Sequence, residues 1–287
     1  MSPLPPPGRR IKLSAGETFV REVAGPPGAP TLLLLHGWLA SAGLNWQTVF
    51  EPLSHHFHIV APDLRGHARG MRSKKIFRLS DCADDCAELL LHLDTGPVIA
   101  VGYSMGGPVS QLLWRRHRDL VSGLVECATA PQFLVGTRER VVFLSMIASI
   151  AGTTRFGALL GKWPALASYL PTPVPTGRRA GSLPAWAAQE FRRHDWRQVV
   201  EAGHSIGTYN ATKWIGEVDV PMSVLVTQKD KAISPKMQHR FAELVPHAME
   251  FPADLGHAGC ASDRLIDFLL PACQAVVTAN QRQAAQA

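Results

Sequence analysis

Residues 97–107 read PVIAVGYSMGG: an apolar run of strand length that ends in Gly102-Tyr103-Ser104-Met105-Gly106 and leads into a helix predicted over residues 106–118. A strand that turns sharply into a helix holds the residue at the turn in a strained backbone conformation and lifts its side chain clear of the sheet. Gly102 and Gly106 stand two residues either side of Ser104, where neighbouring backbone passes too close for a larger side chain. The new helix directs its free N–H groups and positive dipole end back at the turn. Neither a G-x-G-x-x-G nor a Walker lysine accompanies these glycines, so a nucleotide-binding turn is disfavoured and Ser104 stands as a candidate nucleophile.

Outward from this turn the chain alternates strands and helices, which predicts an α/β fold with a mainly parallel sheet covered on both faces. Residues 11–13 and 18–23 form a hairpin around Ala15-Gly16, and residues 31–35 are the continuous apolar run of a buried central strand. Further strands are predicted at 57–61, 123–127, 222–227 and 248–251. A helix is predicted at 80–93, opened by a Ser80-Asp81 cap, and another closes the fold at 263–275. The final QRQAAQA reads as a fraying tail.

The rhythm breaks between residues 131 and 215. Helical stretches there are interrupted by Pro164, Pro171, Pro173, Pro175 and Pro184, and no strand stands out. Residues 131–215 therefore read as a helical cap inserted between two parts of one core, 1–130 and 216–287. Charge divides the same way. The chain carries a net charge of +6, and the insertion holds ten Lys and Arg against four Asp and Glu, so the remainder is balanced.

At 46% apolar and 18% charged residues, the composition supplies a core and argues against global disorder. The longest apolar stretch, residues 141–151, is about half the roughly 20 residues of a membrane span. The proline-rich N-terminus lacks the apolar region of a secretory signal. Five scattered cysteines show no metal spacing and suggest free thiols in a reducing cytoplasm. Cys260 is either a thiol lining the site or a small packing residue. No metal or cofactor is expected.

A serine hydroxyl needs a base. His257 lies in a loop that follows the last strand, at the sheet edge where such folds gather their sites; His204 in the insertion is its rival. The acid that orients the base should lie between serine and histidine in this architecture. Asp230 follows the 222–227 strand and fits, with Asp254 and Glu126 as competitors. Donors for a developing oxyanion are expected at the Met105 N–H, next after the nucleophile, and at the Trp38 N–H, where Gly37 lets the chain turn into the site.

Taken together, LLLLHGW (32–38), DLRGH (63–67), VGYSMGG (101–107), the aspartate after the VLVT strand, and GHAG (256–259) resemble the α/β-hydrolase fold family in order and along nearly the whole chain. The resemblance implies an eight-stranded twisted sheet and an insertion after the sixth strand. It also implies structural roles for Asp63, Arg65 and His67. Haloalkane dehalogenases and epoxide hydrolases of this family carry an aspartate at the Ser104 position. A serine implies esters, thioesters, lactones or activated C–C bonds instead. One departure is Thr227-Gln228-Lys229 before the acid, where a glycine is common.

The expectation is a carboxylic-ester hydrolase. Thioesterase, lipase, perhydrolase, C–C hydrolase and acyltransferase use the same logic, and a slowly turning-over ligand sensor is the alternative of another class. Residues 141–151 with Phe156, Leu159, Leu160, Trp163, Leu166 and Leu170 either line an apolar acyl pocket or pack the cap. Arg178-Arg179 and Arg192-Arg193 either attract an anionic headgroup or membrane surface, or are merely solvated. Nucleic acid is not expected, because no recognition motif accompanies the charge.

Overall fold

A computed structural model describes residues 5–159 and 183–286. Strands β1 (Gly8–Leu13), β2 (Gly16–Val23), β3 (Thr31–Leu35), β4 (His58–Pro62), β5 (Val98–Tyr103), β6 (Val121–Cys127), β7 (Met222–Thr227) and β8 (Met249–Ala253) form one sheet. Its order is β1-β2-β4-β3-β5-β6-β7-β8. The β1–β2 and β2–β4 pairs are antiparallel, and every pairing from β4 onward is parallel. This is the α/β-hydrolase fold that the sequence predicts.

Alternation along the central strands builds two core layers. Leu33 and Leu35 of β3 pack into a cluster with Val109, Leu113 and Trp114 of α4 (Gly106–Arg116). Helices α3 (Leu79–Leu93) and α8 (Pro235–Leu244) complete that layer through Leu90 and Phe241. Leu32 and Leu34 point the other way, into the layer of α1 (Ala42–Trp46), α2 (Phe50–Ser54) and α9 (Leu265–Gln286). All four leucines are wholly buried, each contributing about 2 kcal/mol of apolar transfer free energy.

Most predicted boundaries shift by a few residues, and the end of α9 shifts furthest. Helix α3 begins at Leu79, with Arg78 at its N-cap and no side-chain cap, so Ser80-Asp81 lies inside the first turn. A long-range contact sets the start: the Phe77 N–H donates to the Glu201 carboxylate at 2.9 Å. The closing helix α9 runs to Gln286, through Pro271, so residues 281–286 are helical where a fraying tail was expected. Ala, Gln and Arg favour helix and nothing in this stretch breaks one.

The β6–β7 connection carries α5 (Thr137–Leu159), α6 (Leu183–Arg192) and α7 (Trp196–Thr208). Among its described residues the single strand-like feature is an isolated bridge between Gln132 and Asn210. Phe143, Leu144 and Ile147 of α5 meet α7 where Gly203 and Gly207 leave room. The neighbouring helix positions Val141, Val142, Met146 and Ile150 are turned to solvent, so most of this apolar stretch does not line a closed pocket. The side chains of Phe156, Leu159, Leu160, Trp163, Leu166, Leu170, Arg178 and Arg179 lie outside the described residues.

Arg193 is not a solvated attractor of anions. It pairs with Glu190, which is wholly buried and also takes both guanidinium nitrogens of Arg69 at 2.6 and 2.9 Å. All five cysteines are unpaired. Among the described residues no helix is long and apolar enough to cross a membrane.

Candidate active site

Ser104 sits between β5 and α4 with φ at +51°, the left-handed region that costs a non-glycine residue of order 1–3 kcal/mol. Three hydrogen bonds hold it there. Its N–H donates to the Cys127 carbonyl at 3.0 Å, and its own carbonyl accepts from the Gly107 N–H at 3.0 Å and the Thr129 hydroxyl at 2.8 Å. The flanking glycines are sterically required: a Cβ on Gly102 would lie 2.6 Å from the Gly106 carbonyl oxygen, and one on Gly106 would overlap the Leu35 carbonyl.

His257 begins a short 3-10 turn, His257–Ala261, after β8. Its Nε2 lies 3.1 Å from the Ser104 Oγ. The Tyr103 hydroxyl donates to the His257 carbonyl at 2.9 Å, so the residue before the serine also anchors the histidine. The rival His204 is exposed on α7.

Asp230 Oδ2 lies 2.9 Å from His257 Nδ1. Asp230 is buried, not a solvated loop carboxylate. Its Oδ1 accepts the Ala232 and Ile233 N–H groups, each at 2.8 Å, and its Oδ2 also accepts the Thr227 hydroxyl at 2.9 Å. Burial pushes its pKa up, but the hydrogen bonds from His257 and Ile233 outweigh that and hold it below the ordinary carboxylate value. An ionised Asp230 accepts only, so His257 carries its proton on Nδ1 and leaves Nε2 free to accept from Ser104.

The competing acids lie elsewhere. Asp254 is exposed and pairs with Lys229 at 2.7 Å. Glu126 is wholly buried behind α4, beside Ser110 and Gln111. Cys260 is partly buried, and burial pushes its thiol pKa up to about 11, so it stays a neutral packing group.

The loop after β3 reaches the same point. A Cβ on Gly37 would lie 3.4 Å from the Ser104 Cβ. The Gly37 N–H donates to Asn45 Oδ1 at 3.0 Å, and the Gly37 carbonyl accepts from His36 Nδ1 at 2.8 Å. His36 Nε2 accepts the Leu64 N–H at 2.8 Å, and burial pushes its pKa down, which keeps the ring neutral in this role. Among the described residues no acceptor takes the Trp38 or the Met105 backbone N–H. Asp63, Arg65 and His67 brace this loop and α3: Asp63 accepts the Ala42 N–H at 2.9 Å, Arg65 is bidentate to Asp85 at 2.6 and 2.8 Å, and His67 packs edge-on against His36.

Several positioning residues escape the sequence reading. Asn45 fixes the Gly37 turn, while Thr227 and wholly buried Gln238 hold the loop of Asp230. Gln238 left one trace: it is a polar residue three positions before Phe241, on the buried face of α8. Among the described residues no cluster of three or more His, Cys, Asp or Glu is arranged for a metal ion.

Residues 30–146 match a family model described as the alpha/beta hydrolase fold. A pimeloyl-[acyl-carrier protein] methyl ester esterase of Vibrio vulnificus is 35% identical over 113 residues, 39% of this chain and 41% of the relative. A soluble epoxide hydrolase of Corynebacterium sp. is 37% identical over 93 residues, 32% of each chain. The match therefore spans about two fifths or less of these relatives' own length. Among solved structures, the enol-lactonase of Burkholderia xenovorans superimposes with a TM-score of 0.71 at 19% identity, over 94% of this chain and all of that one. A thermophilic esterase of Thermogutta terrifontis gives 0.69 at 21% identity, over 94% of this chain and 99% of that one. At such identities the likeness is one of fold.

Proposed function

We propose that this chain, built on the α/β-hydrolase fold, hydrolyses carboxylic esters through an acyl-enzyme on Ser104. The observation that carries the reading is the unbroken line from buried Asp230 through His257 to a serine held at φ +51°. Ser104 Oγ attacks the ester carbonyl carbon while His257 Nε2 takes the hydroxyl proton. The resulting oxyanion is held by the Trp38 and Met105 N–H groups, each such donor being worth about 3 kcal/mol of transition-state stabilisation. The intermediate collapses, the C–O bond breaks, and protonated His257 gives its proton to the departing alcohol. Water then attacks the acyl-enzyme with His257 again as base, which releases the acid and restores Ser104. Residues 131–215 act as the cap over this site, and the acyl group is apolar. The esterase and lactonase activities named for the similar proteins agree with this chemistry.

The test combines fluorophosphonate labelling with p-nitrophenyl esters of graded chain length. Labelling should map to Ser104, and Ser104→Ala should abolish turnover; an unchanged rate in the variant refutes the assignment. Parallel acyl-CoA assays separate thioester from ester preference, and labelling without turnover of any ester would favour a sensor.

A contact with anionic membranes has support of its own. Val141, Val142 and Met146 are more than half exposed on α5, beside Arg138 and Arg140, in the part of the chain that holds the whole basic excess. Phosphatidylglycerol vesicles should carry the protein in flotation at low salt, and less at high salt. Absence of binding at low ionic strength would end this reading.

A further inference from the structure

The two residues that follow Gly37 are held from outside the core. The Trp38 indole Nε1–H donates to the Val199 carbonyl of α7 at 2.8 Å. The Leu39 carbonyl accepts from His194 Nε2 at 3.2 Å, in the turn between α6 and α7. His194 is itself fixed, because its Nδ1 accepts the Ala68 N–H at 2.8 Å. Burial pushes the His194 pKa down to about 4, so near neutral pH the ring is uncharged and each nitrogen keeps its role. Leu39 adopts φ +63°, a conformation that a leucine holds only where its surroundings impose it.

The receiving surface on α7 is shaped for the indole. Gly203 stands one helical turn after Val199, and a Cβ there would lie 2.8 Å from Trp38 Cζ2. Glycine in a helix interior costs about 1 kcal/mol relative to alanine, and this one makes room for the ring. On its core side the same loop is held at Gly37 by Asn45 and His36 and at Ala42 by Asp63. The direction of the Trp38 backbone N–H is therefore set between a hinge in the core and two ties to the β6–β7 connection.

We propose that the Trp38 indole, His194 and Gly203 are positioning residues through which the docked helix α7 completes the oxyanion site. The proposal rests on the reading of Trp38 as an oxyanion donor. The cap is then part of the catalytic apparatus: displacement of α7 frees the indole and with it the donor. Such a role acts on the transition state and not on ground-state binding, so it falls on kcat more than on KM.

Four variants test it, with p-nitrophenyl butyrate turnover, inhibition by an alkyl trifluoromethyl ketone, fluorophosphonate labelling of Ser104 and thermal unfolding as readouts. Trp38→Phe keeps an aromatic ring and removes the indole N–H that binds Val199. It should lower kcat by roughly 10–100-fold, below the 100–1,000-fold cost of losing an oxyanion donor outright, with KM changed less than threefold. The ketone, whose adduct carries the oxyanion, should weaken in proportion. Gly203→Ala should act in the same way from the other side of the contact, and the double variant should be no worse than the poorer single one. His194→Ala should lower kcat, and His194→Gln, whose amide can still donate to the Leu39 carbonyl, should recover part of it. Unchanged kcat and ketone affinity in Trp38→Phe and His194→Ala, with Ser104 still labelled, overturn the proposal and leave the nucleophile assignment standing. Failure of the wild-type protein to label at Ser104 overturns the reading beneath it. If Trp38→Phe does not fold, the His194 pair decides alone: equal kcat in His194→Ala and wild type refutes the coupling.

Discussion

Glu126 should be an uncharged acid at neutral pH, and this makes stability fall as pH rises. Its carboxyl is wholly buried between β6 and α4, and among the described residues no cation pairs with it. Ser110 Oγ lies 2.7 Å from Glu126 Oε1 and 2.6 Å from the Gly107 carbonyl. The serine has one proton to give, and the carbonyl can only accept. A protonated Glu126 resolves the geometry by donating to Ser110, which donates to Gly107. Burial pushes the Glu126 pKa from the ordinary 4.5 up to about 8. The folded state thus holds a proton that the unfolded chain releases. Relative to a normal glutamate, its contribution to stability is fully present below pH 4.5 and is lost as pH rises to about 8. At about 1.4 kcal/mol for each pH step, the loss across this window is roughly 5 kcal/mol. Glu126→Gln keeps the shape and cannot ionise. Urea unfolding followed from pH 5 to 9 should show the wild-type midpoint falling with pH while the variant lacks this component, so the two curves diverge. Isotope-edited infrared should find a protonated carboxyl at pH 6 that is absent in the variant. Parallel stability curves, or an ionised Glu126 at pH 6, would refute the reasoning.

Asp230→Asn should lower kcat by about 10,000-fold, the scale on which loss of the orienting carboxylate leaves the histidine in the wrong tautomer; a loss under tenfold would exclude Asp230 from that role. Because its folded pKa is depressed, Asp230 stabilises the protein above the ordinary carboxylate range, and that part is lost as pH falls through its folded value. The acid limb of the wild-type stability curve should therefore be shallower in the variant. Glu190→Gln leaves the partly buried Arg69 and Arg193 without their counter-charge, which should cost about 2–3 kcal/mol and expose the β6–β7 connection to limited proteolysis. A change in unfolding free energy below 1 kcal/mol, an order-of-magnitude threshold for an exposed pair, would show that the network carries no weight.

Residues whose placement depends on a local pattern were legible in the sequence. The strained turn at Ser104 announces itself through two glycines, a strand and a helix within a dozen residues. His257 and Asp230 follow from their places after the last strands, and Leu32 to Leu35 from an unbroken apolar run. The β6–β7 connection was legible as helical and basic, but not which of its charges are engaged within the fold. A count of ten basic against four acidic residues treats each as solvated. In the fold Glu190 and Glu201 are buried and engage Arg69, Arg193 and Arg197, partners drawn in part from more than a hundred residues away. Helical spacing accounts for Glu190 with Arg193 and Arg197 with Glu201, but no periodicity encodes the pairing of Arg69 with Glu190. The same is true of Asn45, Gln238 and His194, polar residues whose partners are backbone atoms brought close only by folding. A sequence pattern thus reveals a residue whose neighbours in space are its neighbours in the chain. It is silent on the ties by which a distant helix holds the loop of Trp38, and on those ties rests the proposal that the β6–β7 connection is a working part of the site.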